Sequence, residues 1–134
     1  MKPYFIALAL LVLPLQAAAA QPDITGLWVG DFFGNKVECH MEQRGQFLYG
    51  VAYVTARNGE KNTYHLVGVI QGAEVRAMHG SGNFFVGTVE EDDKASGTFH
   101  FKNGHSFAMR ADRAQRGKTI PGGLSWPDGY PPKN

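Results

Sequence analysis

The 134-residue chain has a single cysteine, Cys39. No disulfide can form within it, so stability has to come from packing and from a well-paired sheet. The thiol is a buried side chain, a bridge to another chain, or a soft metal ligand. Charge of one sign is equally scarce. Thirteen Lys and Arg stand against twelve Asp and Glu, a formal net charge of +1. That excludes the basic field needed to hold nucleic acid or an anionic membrane. Helical periodicity is missing from every stretch beyond residue 20. No serine sits in a nucleophile elbow, and Cys39 has no histidine in a recognisable catalytic context. The chain therefore reads as a non-enzyme without a cofactor. Glu90-Glu91-Asp92-Asp93 lacks the glycine and the alternation of a calcium loop and reads as a solvated hairpin tip.

Long apolar runs are absent except at the N-terminus. Lys2 precedes the run from Tyr4 to Leu15, and Ala18-Ala19-Ala20 follows it. A basic start, a short apolar middle and a small-residue end predict a cleaved signal peptide over residues 1–20. The product would be exported, periplasmic or secreted. The run is short for a bilayer crossing, so no integral membrane segment is expected in the mature chain. Without Lys2, twelve basic and twelve acidic side chains remain, and the formal charge falls to about zero. The rest is long enough for one modest core.

What is present is a succession of short alternating segments. Ile24 to Phe33 reads as a first strand, with Gly26, Trp28 and Gly30 on one face. Gly34-Asn35 turns. Lys36 to Glu42 alternates strictly, with Val37, Cys39 and Met41 on the dry face. Phe47 to Thr55 is aromatic and β-branched and reads as its hairpin partner. After the loop Arg57–Asn62 come strands over Thr63–Ile70, around Val75 and Ala77, over Phe84–Glu90, over Ala95–Lys102 and over His105–Ala111. Asn103-Gly104 is a two-residue hairpin signal. Turn signals every ten residues or so predict an all-β sandwich or barrel. Consecutive hairpins favour an eight-stranded antiparallel up-and-down meander, and closure into a barrel removes its two raw edges. Such an interior is filled by side chains or holds one small ligand. The barrel is expected over residues 21–113. Residues 114–134, with four of the seven prolines, read as an extended Pro/Gly-rich tail. Trp126 and Tyr130 either pin that tail to the barrel wall or mouth, or the end is disordered.

Gly26-Leu27-Trp28 on a first strand, with an arginine on the last, resembles the calycin superfamily of lipocalins, fatty-acid-binding proteins and avidin-like proteins. Tyr64-His65-Leu66-Val67-Gly68 and Ser96-Gly97-Thr98-Phe99 look like avidin-type strands. The resemblance covers roughly residues 24–113. It implies that Trp28 plugs one end of the barrel and that an arginine, Arg110 or failing that Arg113, stacks across it. The chain is short for a lipocalin, shows no C-terminal helix and does not match the avidin ligand contacts as a set. The resemblance therefore implies a fold and two structural positions, and no particular ligand.

Two functions follow as expectations. In the first, an exported non-catalytic protein holds a small apolar or amphipathic ligand in the barrel, with Phe47, Tyr49, Phe99, Phe107 and Met109 lining it. It predicts a cavity of a few hundred cubic ångströms with a few polar groups. In the second, a filled barrel presents exposed aromatics to a protein partner or to a second copy of itself, as an inhibitor or envelope-assembly factor. Phe32-Phe33 and Phe84-Phe85 must each place one ring on either face of the sheet. A third pattern is soft-metal chemistry. Alternation places Cys39, Met41, His79, His105 and Met109 inward, and the first four are candidate ligands. The alternative is a core that uses Cys and Met as ordinary hydrophobes. Asp31 is either an interior carboxyl with a raised pKa or a surface carboxylate.

Overall fold

The computed structural model describes residues 21–91 and 93–133. The signal peptide expected over residues 1–20 lies outside them. Eight strands follow in order: β1 (Gly26–Phe32), β2 (Asn35–Arg44), β3 (Phe47–Thr55), β4 (Lys61–Gln71), β5 (Glu74–His79), β6 (Phe84–Glu91), β7 (Lys94–His100) and β8 (Ser106–Arg116). Each pairs antiparallel with the next, and β1 pairs with β8, so the sheet closes into an up-and-down barrel. Closure satisfies the backbone edges that an open meander would expose. Among the described residues no helix is long and apolar enough to cross a membrane.

The β1–β8 seam makes the closure. Its ladder runs from Gly26↔Arg116 to Val29↔Asp112, with a bulge at Leu27/Trp28. The two backbones approach too closely for side chains. Gly26 has φ +151°, and a Cβ there would lie 2.2 Å from the Gln115 carbonyl oxygen. On Gly30 it would lie 2.6 Å from the Arg110 carbonyl oxygen. Both obstacles are backbone and cannot swing away.

β8 continues past Ala111 to Arg116, so the barrel ends at residue 116 rather than 113. Asp112, Arg113, Ala114, Gln115 and Arg116 carry no apolar alternation, which is why the extension escapes a hydropathy pattern. His105 precedes the strand instead of opening it.

One end of the barrel carries the start of β1 and the β2–β3, β4–β5 and β6–β7 turns. We call it the floor. The β1–β2, β3–β4, β5–β6 and β7–β8 connections surround the mouth. The core sits at the floor, where Ile24, Trp28, Met41, Leu48, Ile70, Val75 and Val89 form one buried cluster. A second cluster lies outside the barrel. Ile120, Leu124, Trp126 and Tyr130 of the tail cover Phe47, Tyr49, Val51 and Val67. The Tyr130 hydroxyl donates to the Gly68 carbonyl. The tail is thus pinned to the wall by both aromatic residues.

Candidate binding site in the barrel lumen

The floor is built on Trp28. Its indole N–H donates to the Ile24 carbonyl at 2.9 Å, and the Arg113 guanidinium lies 5.0 Å from the ring centre. The Arg113 side chain is 3% exposed. Its Nη1 donates to the carbonyls of Asp23 at 2.7 Å and Thr25 at 3.3 Å, and its Nε to the Asp93 carboxylate at 3.2 Å. Arg113, not Arg110, is therefore the arginine across the tryptophan. Register is the reason: Arg113 is the β8 residue opposite Trp28. Phe107, Met109 and Ala111 face the lumen, and continuing that parity by two reaches Arg113. Arg110 is exposed on the opposite face, along an outer groove with Asp31, Lys36 and Asp112. Asp31 is likewise an exposed carboxylate.

Above the floor the packing changes. Val37, Val54, Leu66, Phe99, Phe107 and Met109 point inward yet remain only half-buried, because they surround a cavity of about 230 Å³. Small residues create the space. Ala52, Ala77, Gly87, Ala95 and Ala111 are inward positions where a larger side chain would reach the axis. The Phe85 ring lies against glycines: a Cβ on Gly87 would sit 2.5 Å from it, and one on Gly97 2.6 Å. Toward the mouth, Phe107 stacks on Phe32 at 4.8 Å and on Phe99 at 5.4 Å. Phe33, 78% exposed and at φ 47°, meets the Phe107 ring edge-on at the rim.

Of the expected lining residues, Phe99, Phe107 and Met109 line this cavity. Phe47 and Tyr49 do not. They project from the other side of β3, where Phe47 meets Tyr130 and Tyr49 meets Trp126. The Tyr49 hydroxyl hydrogen-bonds His65 Nδ1 at 3.0 Å. Both faces of β3 are apolar because both are covered, so alternation cannot select the inner one. Tyr64 and Leu66 line the lumen from β4 and were missed. Their parity with Ile70, which is fully buried, is the signal that finds them.

The candidate metal ligands do not converge. Cys39 Sγ and Met41 Sδ are 3.3 Å apart. His79 lies at the mouth, and His105 is exposed on the β7–β8 connection. Among the described residues no three His, Cys, Asp or Glu side chains form a group able to hold a metal ion. Burial pushes the Cys39 thiol up to about 12, so it stays protonated near neutral pH and lines the lumen as a small hydrophobe.

No family model matches this chain, and no curated protein sequence matches it. The site therefore speaks through its own geometry. An apolar cavity of about 150 Å³ is large enough to bind benzene. The lumen exceeds that, and its wall is almost entirely hydrocarbon. It has room for a substituted ring or a short alkyl chain.

Proposed function

We propose that the protein is an exported, non-catalytic binding protein of calycin type, holding a small apolar or amphipathic molecule in its lumen. The hollow half of the barrel carries this reading. A protein interior normally closes on itself at crystal-like density. Here inward-pointing aliphatic and aromatic side chains stop short of one another around about 230 Å³, while the opposite end is sealed by Trp28 and Arg113. An enclosed apolar wall with a few polar groups at its rim is the usual form of a small-molecule site.

Calorimetric titration with toluene, propylbenzene and octan-1-ol tests the reading. Binding tighter than about 1 mM is expected. Leu66→Trp, which fills the lumen, should abolish it while leaving the circular dichroism spectrum unchanged. A wild-type protein that takes up none of the three would refute the proposal. Export is tested separately, by fractionating host cells and sequencing the N-terminus of the recovered protein.

The second reading, a partner-binding module, draws on the exposure of Phe33, Met78 and Phe84. The aromatic wall of β3 is covered by the tail and contributes nothing to it. Measurement of solution mass separates the readings. A dimer that dissociates on Phe33→Ser with Phe84→Ser would favour the second.

A further inference from the structure

We propose that the ligand carries a carboxylate head, held at the β5–β6 side of the mouth by Tyr64, His79 and Asn83. This rests on the binding reading above and specifies the class of molecule.

All three residues line the cavity and are half-buried. Tyr64 and His79 meet edge-to-face, ring centres 5.3 Å apart. The His79 backbone N–H donates to the Asn83 backbone carbonyl at 2.9 Å across the turn, so the three are neighbours on one arc of the rim.

Hydrogen bonds already made decide what each group still offers. The Ser81 backbone N–H donates to His79 Nδ1 at 3.2 Å, and the Ser81 hydroxyl lies 2.8 Å from the same nitrogen. That hydroxyl in turn accepts from the Asn83 N–H at 3.4 Å. A nitrogen receiving a backbone N–H holds a lone pair, so this network assigns the proton to Nε2. His79 therefore presents an N–H donor. Asn83 Oδ1 accepts the Lys102 backbone N–H at 2.9 Å, which fixes its amide and leaves the NH₂ side as donor. The Tyr64 hydroxyl has no partner among the described residues and can donate.

Three donors at one rim fit an acceptor, and the sign of the surroundings selects an anion. No Asp or Glu contributes to the cavity lining. Lys102, whose backbone N–H Asn83 accepts, is the charged residue adjoining this corner, and its stem runs past Gly82 in the neighbouring turn. A carboxylate takes several donors at once, and hydrogen bonds to an ionised acceptor are about twice as strong as neutral ones. The alkyl or aryl part would lie in the lumen toward Cys39 and Leu66.

Octanoate, octan-1-ol and octylamine share a chain and differ in the head. At pH 7.5 octanoate should bind about tenfold or more tighter than octan-1-ol, with octylamine, cationic at that pH, weakest. Asn83→Asp keeps the acceptor for Lys102 and replaces the donor with a negative charge. It should weaken octanoate at least about tenfold, strengthen octylamine, and leave octan-1-ol within about threefold. Retained octan-1-ol binding shows that the variant is folded. Equal wild-type affinity for all three, or an Asn83→Asp protein that holds octanoate unchanged, overturns the head-group assignment while leaving the cavity reading intact. Failure of all three to bind overturns the head-group assignment, and the cavity reading falls with it only if toluene and propylbenzene also fail to bind.

Discussion

Arg113 does at the floor what no apolar residue could do. Two carbonyls of the segment leading into β1, those of Asp23 and Thr25, accept its guanidinium at the closed end of the barrel, while the face of the same group covers Trp28. Replacing it by methionine keeps the stem, strands the Asp23 carbonyl and leaves that of Thr25 with the Gly117 backbone N–H alone. Urea unfolding should register a loss of about 2–4 kcal/mol. Arg110→Met, three residues away on the exposed face, should stay within about 0.5 kcal/mol. Equal effects would mean that register had been misassigned. Asp93 gives the floor a pH dependence. Its carboxylate is held below its ordinary range, first by a hydrogen bond from Arg116 and then by one from Arg113. A group with a lowered folded pKa contributes stability above its unfolded value, near 4, and loses it as pH falls through the folded value. Asp93→Asn should therefore be less stable than wild type at pH 7. The gap should narrow below about pH 4 and disappear in stronger acid. A gap that persists unchanged at pH 2 would show the charge to be irrelevant.

At the scale of elements, the tail and β3 form one unit. Trp126 stacks on Tyr130 at 5.6 Å, lies under the Arg44 guanidinium at 4.5 Å, and is 9% exposed. Its indole N–H is buried and has no hydrogen-bond partner among the described residues. Ring and N–H should therefore contribute with opposite sign. Trp126→Ala removes the ring and should lower stability by about 2–3 kcal/mol. Detachment of the tail caps the loss, since a tail already released has nothing further to lose. Amides of residues 120–130 should then exchange freely. Trp126→Phe keeps most of the apolar contact and deletes the orphan donor, so it should be neutral or stabilising by up to about 1 kcal/mol. A phenylalanine variant as unstable as the alanine one would point to a hidden partner for the indole. The same unit explains where the fold was legible. β2 and β7 each alternate apolar or small residues with polar ones, and their inward sets, Val37-Cys39-Met41 and Gly97-Phe99, are readable directly, although the outer Glu42 of β2 is itself buried. β3 has no wet face, because a segment seventy residues later covers its outer one. Nothing local distinguishes Tyr49 from Leu48. β8 fails differently: its last turn of sheet is polar because it serves the floor, and alternation stops being visible where Arg113 begins to matter.

Across the whole molecule, the strand count and the closure follow from turn spacing and from the instability of raw edges, so both are accessible before any coordinates. Hollowness is not. It depends on the sum of inward volumes, which can be taken only once each strand's inner face is assigned. That sum is small here, with Gly or Ala at inward positions on β3, β5, β6, β7 and β8. Leaving about 230 Å³ open forgoes on the order of 5 kcal/mol of packing, at about 24 cal/mol per Å³. A barrel without a use for the space would gain by filling it. Ala77→Val with Val54→Leu adds three buried carbons to the lumen wall on residues that suit strands. The double variant should be more stable than wild type by about 1–2 kcal/mol in urea, and should bind octan-1-ol at least about tenfold more weakly. Both shifts have to appear together. Greater stability with undiminished binding would place the ligand outside the lumen, and weaker binding without greater stability would mean that the cavity walls resist the added volume.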